Sequence, residues 1–427
     1  MRHDDVWDVA SSGRSTSAVD HWLMGRLRAG MGDAPWRITL WDGTTSNPPG
    51  PATASLLVHD RRTLAQLCLA PDTAFGEAFM RGAVEVTGAD LGDALTALYE
   101  GLQTARPARG RWVTRARAAL RRALGRVNTP ERAWSNVHRH YDLGNAFYAG
   151  WLDEQLVYTC AFYAEPWLSL EEAQQAKMEL VCRKLRLQPG DRVIEAGCGW
   201  GALARYMARH HGATVRAFNV SGEQVRYARA AAAREGLSDR VEFIERDYRA
   251  IDGACDVFVS IGMLEHVGAP QLGAFGGVVD RVLVRRNGRG LVHFIGRDAP
   301  APLSPWIRRR IFPGAYPPAL YEVIAEVLAP HGLSVTDVEN LRPHYARTLA
   351  DWRTRFDRAA GDIGRMFDES FVRAWRLYLA GSEAGFRTGS LQLFQVAFTR
   401  AGSPDVPWTR RNQQDVLAAG SRERAAW

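Results

Sequence analysis

The chain has 427 residues, of which 46% are hydrophobic and 24% are charged. This length and composition are enough for two domains, each with its own core. There is no apolar run of about 18 residues, so the sequence predicts no membrane-spanning helix. The N-terminus MRHDDVWD carries acids where a signal peptide would carry bases, so we expect a cytoplasmic protein. The net charge of +7 favours anionic partners.

The cysteines predict neither a metal site nor a disulfide framework. Their spacing does not match that of metal ligands, and their number, five, is odd in a chain for which we expect no export. We expect small buried side chains instead. The five are Cys68, Cys160, Cys182, Cys198 and Cys255.

The first part of the chain predicts a small domain behind an arm. Residues 1–34 are polar and mixed, which indicates a loosely ordered arm. Residues 35–105 contain two predicted strands, WRITLWDG and ASLLVHD. Helical periodicity begins near Arg62 and recurs at Asp90–Leu102. Residues 35–105 are therefore predicted to form a small α+β domain.

Residues 106–128 are rich in arginine, and no acidic residue lies between Glu100 and Glu131. The segment WVTRARAALRRALGRV can form a helix with a small apolar face. A solvated linker helix and a basic helix lying on an anionic membrane surface are equally good interpretations. Nucleic acid is a third interpretation of such a patch, and we expect no nucleic-acid partner. Membrane contact would place the protein peripherally at the inner membrane face.

Residues 129–405 alternate apolar strands with amphipathic helices, and 406–427 form a polar tail. The alternation predicts an α/β, Rossmann-like domain whose mostly parallel sheet is covered by helices on both faces. A late segment, SLQLFQVAFTR, has strand character and is placed to close the sheet. The predicted parallel strands are DRVIEAG, ATVRAFNV, RVEFIERD, DVFVSIG and GLVHFIG.

A glycine-rich turn, VIEAGCGWGALARYM, joins the first of these strands to a helix. Such a turn can hold a dinucleotide pyrophosphate, as in an oxidoreductase. Two details favour S-adenosylmethionine (SAM) instead. The spacing of Gly197, Gly199 and Gly201 differs from G-x-G-x-x-G. In addition, Glu195 would repel a diphosphate but attract the positive amino or sulfonium group of SAM.

The next two strand ends carry further polar residues. Asn219, Ser221 and Gln224 follow the second strand, where dinucleotide enzymes usually place an acid. At the end of the third strand, Asp247 can accept from an adenine amino group and Tyr248 can stack on the ring. Each of these is an ordinary loop residue when taken alone. Their order around one switch point of the sheet favours a cofactor site.

Three further segments resemble the cyclopropane-fatty-acyl-phospholipid synthases and the related mycolic acid cyclopropane synthases. They are His140–Tyr163, with HYDLGN and YTCAFY, Ser260–Gly268 (SIGMLEHVG) and Leu291–Gly296 (LVHFIG). RRRIFPGAYPPAL and PHYARTLADW are similar to that family as well. The resemblance covers about residues 130–400, and the small N-terminal domain resembles the extra domain of the phospholipid-acting members.

The resemblance implies a class I SAM-dependent methyltransferase domain with a bicarbonate ion beside the transferred methyl group. It assigns cofactor contacts to Tyr158, Thr159, Gly197, Gly199, Asn219, Gln224 and Tyr248. It assigns the bicarbonate shell to Cys160, Glu265, His293, Ile295 and Tyr345, with Cys160 and Ile295 acting through their backbone. Asn219 stands where many members of the family have threonine, and Tyr248 stands where some have tryptophan.

The implied reaction is methyl transfer to the double bond of an unsaturated phospholipid acyl chain, giving a cyclopropane. Bicarbonate would act as the base. Aromatic residues Tyr141, Phe147, Phe162 and Tyr163 are expected to line the acyl tunnel. Without the resemblance, His293 would be interpreted as a structural residue of an apolar strand and Glu265 as a helix-capping acid.

Other outcomes stay open at the level of sequence. The same cofactor could give a methylene or methyl-branched acyl lipid, or methylate another lipid or a small amine. A non-catalytic lipid-binding protein is an alternative of a different class, and intact Glu265, His293 and Tyr345 argue against it. The sequence is compatible with a monomer or a homodimer.

Overall fold

The computed structural model describes residues 15–104 and 143–410. The basic segment 106–128 and Tyr141 lie outside the described residues, so their predicted roles remain predictions. Within the described ranges, no helix is both long and apolar enough to cross a membrane.

The N-terminal domain is a four-stranded sheet with helices packed against it. The sheet order is β2-β1-β3-β4, in which β1 and β3 are parallel and the other neighbours are antiparallel. Alternate residues of β1 and β3 are buried, which confirms the predicted strands. Its elements are α1 (Ala18–Gly30), β1 (Trp36–Leu40), β2 (Thr45–Ser46), β3 (Ala54–Val58), α2 (Arg61–Leu69), α3 (Pro71–Met80), β4 (Val84–Thr87) and α4 (Leu91–Thr104).

The predicted loose arm is wrong for Ala18–Gly30, which forms helix α1. Ser17 caps this helix, because its side chain accepts from the backbone N–H of Asp20 while Asp20 accepts from the backbone N–H of Ser17. The buried Asp20 carboxylate also pairs with Arg61 of α2, at 2.5 Å. The hydrogen bonds from Arg61 and Ser17 lower the pKa of Asp20 to about 2. Capping and this ion pair fix a segment whose overall composition is polar.

The second domain contains a seven-stranded sheet of order β10-β11-β9-β8-β5-β6-β7. The five strands from β9 to β7 are parallel, and β11 runs antiparallel between β9 and β10. This confirms the predicted parallel strands and the strand character of SLQLFQVAFTR, but β10, and not this strand, lies at the edge of the sheet. The strands are β5 (Arg192–Ala196), β6 (Thr214–Asn219), β7 (Val241–Glu245), β8 (Val257–Ile261), β9 (Arg289–Gly296), β10 (Leu333–Asn340) and β11 (Gln392–Arg400).

Helices cover both faces of this sheet, so all five residues of β8 are buried. Leu320–Glu322 continues as a π-helical segment, Val323–Leu328. The helices are α5 (Asn145–Ala149), α6 (Leu170–Leu185), α7 (Ala202–His211), α8 (Gly222–Arg234), α9 (Leu264–Val267), α10 (Leu272–Val282), α11 (Pro305–Arg310), α12 (Leu320–Glu322), α13 (Arg342–Met366) and α14 (Glu369–Arg387).

Helices α11, α13 and α14 of the second domain contact the N-terminal domain. Arg353 of α13 forms an ion pair with Asp90, at 2.7 Å. Arg373 of α14 donates to the backbone carbonyl of Phe79, at 2.6 Å. A Cβ atom on Gly76 of α3 would lie 2.5 Å from the ring of Trp306. Only glycine therefore lets α3 approach α11 this closely.

Candidate active site

A cavity lies at the carboxyl ends of β5, β6 and β7, where the predicted cofactor residues meet. Gly197 and Gly201 both have positive φ, 83° and 78°. A Cβ at Gly197 would lie 2.8 Å from Met263, and one at Gly201 would lie 2.5 Å from Phe243. The turn therefore requires glycine at both positions. The predicted cofactor residues lining the cavity are Tyr158, Thr159, Glu195, Gly197, Gly199, Asn219, Gln224, Asp247 and Tyr248.

Three buried polar atoms on residues that line this cavity have no hydrogen-bond partner. They are Glu195 Oε2, Gln224 Nε2 and Tyr248 OH. Leaving such atoms unsatisfied costs free energy, so their presence indicates a polar ligand. Gln224 is held by Asn219, whose Nδ2 donates to Gln224 Oε1 at 2.7 Å. These residues fit a ligand with the amino and hydroxyl groups of SAM.

Asp247 and Tyr248 follow β7 as predicted, but each also contacts Arg249. The Asp247 carboxylate accepts from Arg249 Nη1 at 2.9 Å. The guanidinium of Arg249 lies 4.7 Å from the centre of the Tyr248 ring. One side of that ring is therefore occupied by a cation. The predicted contacts with adenine stay predictions.

Lys177 of α6 lines the same cavity and was not predicted from the sequence. Its Nζ donates to Thr159 Oγ1 at 3.0 Å. Burial lowers the pKa of Lys177 to about 8, while Asp153, Cys160 and Glu195 act in the opposite direction. Burial raises the pKa of Glu195 to about 7. The signal that could have identified Lys177 is its place among the buried residues of α6, because a buried charge needs polar partners nearby.

A second, larger cavity of roughly 500 Å³ adjoins the first. Tyr158, Thr159, Gly262 and His266 line both cavities, so the cofactor cavity and the larger one meet at these residues. The predicted bicarbonate-shell residues Cys160, Glu265, His293, Ile295 and Tyr345 line the larger cavity. The structure thus brings together all five residues that the resemblance assigns to the shell.

Glu265 and His293, which both line this cavity, each have a buried side-chain atom without a hydrogen-bond partner. Glu265 Oε1 accepts from the backbone N–H of Ile295, while Glu265 Oε2 has no partner. His293 Nε2 is also without a partner. Burial raises the pKa of Glu265 to about 7 and places the pKa of His293 well below its usual value. Glu265 is therefore held by the backbone of β9, and it also lies in the first turn of α9, where the alternative interpretation placed a helix-capping acid.

The hydrogen-bond partners of His293 fix its tautomer. Lys184 Nζ donates to Gln395 Oε1 at 2.8 Å, so the amide NH₂ of Gln395 faces His293 Nδ1, at 3.1 Å. Nδ1 must then accept, and the ring proton of the neutral imidazole lies on Nε2. His293 lines the cavity, and its Nε2–H is consequently a buried donor without a partner, which suits an anion. Neither Lys184 nor Gln395 was predicted from the sequence.

The remaining three residues of the predicted bicarbonate shell, Ile295, Cys160 and Tyr345, make different contacts. The backbone N–H of Ile295 is taken up by Glu265, so through this group Ile295 orients the carboxylate and does not bind an ion directly. The Cys160 thiol donates to the carbonyl of Ala161 at 3.0 Å. Burial raises the pKa of this thiol, so it is not a nucleophile. The ring of Tyr345 packs on Phe386, with 4.5 Å between centroids.

The predicted aromatic lining of the acyl tunnel is wrong for the residues that the structure describes. Phe147 is buried in an aromatic cluster behind the cavity wall, 4.9 Å from Trp375, which packs on the lining residue Tyr378. Phe162 and Tyr163 also lie outside the lining. These side chains, from the segment His140–Tyr163, pack in the core and do not line the larger cavity. The aromatic residues that do line the cavity are Trp36, Phe75, Tyr99, Tyr158, Trp306, Phe312, Tyr345, Tyr378 and Phe386.

Sheet order and cofactor cavity together define a class I SAM-dependent methyltransferase. Residues 128–396 match the family model described as mycolic acid cyclopropane synthetase, and residues 26–105 match a domain of unknown function. The chain therefore belongs to the mycolic acid cyclopropane synthetase family and is a methyltransferase.

Named relatives support this assignment. The chain is 34% identical over 405 residues to the tuberculostearic acid methyltransferase UfaA1 of Mycobacterium tuberculosis, covering 91% of this chain and 93% of that one. It is 38% identical over 278 residues to the cyclopropane-fatty-acyl-phospholipid synthase of Escherichia coli, covering 65% and 71%. The structure resembles mycolic acid cyclopropane synthase CmaA1 complexed with SAH and CTAB, with a TM-score of 0.59 and 30% identity, covering 62% and 98%.

Proposed function

We propose that this protein transfers a methyl group from SAM to the double bond of an unsaturated phospholipid acyl chain, giving a cyclopropane. The observation that carries the proposal is the meeting of two cavities. The cavity lined by the glycine turn adjoins a larger, mostly apolar one, and Glu265 Oε2 and His293 Nε2, both unpartnered, belong to residues that line the larger cavity. The similarity to the E. coli phospholipid synthase supports the choice of substrate.

SAM, when bound, supplies an electrophilic methyl group. Glu195, Gln224 and Tyr248 would hold its polar groups through their unsatisfied atoms. Tyr158 and Thr159 lie on the boundary with the larger cavity, so they would face the reacting end. Tyr158 is positioned by a hydrogen bond of 2.8 Å between its hydroxyl and that of Tyr378.

An alkene is a weak nucleophile, and its methylation leaves positive charge on the chain. The aromatic faces of Tyr158, Tyr345 and Tyr378 line the cavity and can stabilise such a charge without reacting with it. Ring closure also requires that a proton leave the new methyl group. Bicarbonate would supply the base for this.

The residues present fit such an anion. The Nε2–H of His293 is a buried donor with no partner, and the tautomer that provides it is fixed by Gln395. Glu265 can present Oε2 as a protonated donor or as an acceptor of the bicarbonate O–H, because its pKa is about 7. A hydrogen-bond donor and a group that can donate or accept therefore lie on the wall of one largely apolar cavity.

A second product is favoured by a different observation. The tuberculostearic acid methyltransferase matches more of this chain than the E. coli synthase does, 91% against 65%. After a hydride shift, the same positive charge on the chain can be resolved by loss of another proton, giving a methylene branch, and a saturated methyl branch would then require a separate hydride donor to reduce this methylene. The acceptor stays an acyl lipid in both cases, and only the steps after methyl transfer differ.

The test is incubation of the purified protein with labelled SAM and vesicles of an unsaturated phosphatidylglycerol. Mass spectrometry is expected to show a gain of one CH₂ in the acyl chain, and NMR a cyclopropane. The variant Glu265→Gln, which keeps the shape of the side chain, should lose activity at least about a hundredfold. It should bind S-adenosylhomocysteine as the wild type does. Wild-type rates in this variant would refute the proposed anion site.

A further inference from the structure

The larger cavity extends beyond the catalytic domain into the N-terminal domain. Trp36 of β1, Leu56 of β3, Leu67 of α2 and Leu95 of α4 are at most 3% exposed, yet all four line it. The core of the N-terminal domain is therefore partly hollow rather than closed on itself. Further lining residues from the domain are Leu27, Met31, Phe75, Leu98, Tyr99 and Leu102.

Three polar groups of the cavity wall already have hydrogen-bond partners within the protein. The indole N–H of Trp36 donates to the carbonyl of Ala94 at 2.9 Å. The thiol of Cys68 donates to the carbonyl of Leu23 at 3.2 Å. From the opposite wall, the indole N–H of Trp306 donates to Met80 Sδ at 3.3 Å. The wall thus offers apolar contacts to a ligand, and these three groups would form no additional hydrogen bonds with a polar ligand.

The cavity also continues without a break to the site where Glu265 and His293 lie. It reaches the protein surface along the N-terminal domain, because the lining includes the exposed residues Arg26, Pro71 and Asp72. An occupant of this hollow can therefore be part of a molecule whose middle lies at the catalytic site. A long alkyl chain has this shape and this chemistry.

We infer that the N-terminal domain is an acyl-binding domain whose hollow core holds a segment of the substrate's hydrocarbon chain. The inference rests on the proposed function and deepens it. Residues 26–105 match a domain of unknown function, and the inference names the class of ligand that this domain binds. Burying methylene groups against Leu56, Leu95 and Leu98 removes apolar surface from water, which is the source of the affinity.

The experiment compares two variants on one helix. Leu98 of α4 lines the cavity, whereas Leu91 of the same helix is partly buried and lies outside the lining. Leu98→Trp should fill the hollow, and Leu91→Trp is the matched control. Binding of cis-parinaric acid is measured by its fluorescence, in the presence of saturating S-adenosylhomocysteine. We expect the Kd to rise at least tenfold in Leu98→Trp and to change less than twofold in Leu91→Trp. Equal affinities in the two variants would overturn the inference.

A second measurement uses the wild-type chain and covers the case in which Leu98→Trp does not fold. A fatty acid with a diazirine in its alkyl chain is bound and irradiated, and the adducts are located by mass spectrometry. Adducts within residues 27–102 support the inference, and adducts confined to the catalytic domain contradict it. Neither measurement needs turnover. Acyl binding without alkene methylation would refute the proposed function alone, while methylation with no acyl contact in residues 27–102 would refute the inference alone.

Discussion

Gln395 Nε2 lies 3.1 Å from His293 Nδ1, and the same amide accepts from Lys184 Nζ at 2.8 Å. Lysine can only donate, so the orientation of this amide is determined, and with it the tautomer of the imidazole. Gln395 is thus a positioning residue, one strand away from the cavity. It controls which nitrogen of His293 carries the proton that the proposed anion site requires.

Gln395→Leu should therefore lower kcat by about ten- to a hundredfold, the loss typical when the outer partner of a ligand is removed. Binding of S-adenosylhomocysteine should not change. Nitrogen NMR should show a mixture of His293 tautomers in the variant and one tautomer in the wild type. Gln392→Leu is the control, because Gln392 lies on the same strand but bonds Asn340, at 2.9 Å.

Gln395→Glu makes the opposite change at the same atoms. A carboxylate accepts a hydrogen bond from Nδ1–H, which moves the ring proton from Nε2 to Nδ1 and leaves a lone pair on Nε2 where the proposed anion needs a donor. We expect this variant to be slower than Gln395→Leu, although it keeps an acceptor for Lys184. A faster Gln395→Glu would show that the tautomer does not govern the rate.

Glu265 is expected to weaken the fold at alkaline pH. Its pKa is about 7 in the folded protein, raised by burial from 4.5. The folded state therefore binds more protons than the unfolded one between these values, and stability is lost as pH rises from about 4.5 to about 7. Glu265→Gln removes this dependence. At pH 8 the variant should gain up to about 3 kcal/mol, less the cost of burying the amide.

Chemical denaturation at pH 5 and pH 8, without bicarbonate, measures this effect. The gain in the free energy of unfolding should be clear at pH 8 and small at pH 5. Glu383→Gln provides the contrast, because Glu383 is buried in an ion pair with Arg353 at 3.0 Å and its loss should destabilise. A Glu265→Gln variant that is equally destabilised at both pH values would contradict the prediction.

The parallel strands and the glycine turn could be predicted because their signals are local. A strand buried on both faces has an apolar run, as β8 does, and a tight turn needs glycine at fixed positions. Strand β10 was missed because it lies at the edge of the sheet and has few buried residues. Its sequence, LSVTDVEN, accordingly lacks such a run.

The supporting residues of the site could not be predicted in the same way. Lys184 and Gln395 are 211 residues apart, and their contact depends on where β11 is inserted in the sheet. The cavity-lining residues of the N-terminal domain have the pattern of ordinary core residues. Only the packing of two domains shows that this core is hollow.

Tyr378 is expected to act on the reaction through Tyr158. Their hydroxyls lie 2.8 Å apart, and Tyr158 lines both cavities. Tyr378→Phe keeps the ring and removes this hydrogen bond, which contributes about 1 kcal/mol. We expect kcat to fall about three- to tenfold and the free energy of unfolding to fall by no more than about 1 kcal/mol. Tyr321→Phe, at a residue that is 56% exposed, serves as the control, and equal rates in the two variants would exclude the role.

Gln224 should contribute directly to cofactor affinity. Its Oε1 is held by Asn219, while its Nε2 is buried, unpartnered and on the cofactor cavity. Gln224→Met is close in volume but has no donor, so a bound ligand loses one hydrogen bond, worth about 0.5–1.5 kcal/mol. Calorimetry with S-adenosylhomocysteine should therefore show a Kd about three- to tenfold higher. Gln271→Met, in a turn outside the cavity, should leave the Kd unchanged. A wild-type Kd in Gln224→Met would mean that the orphaned amide faces some group other than the cofactor, and the orientation proposed for SAM in this cavity would have to be abandoned.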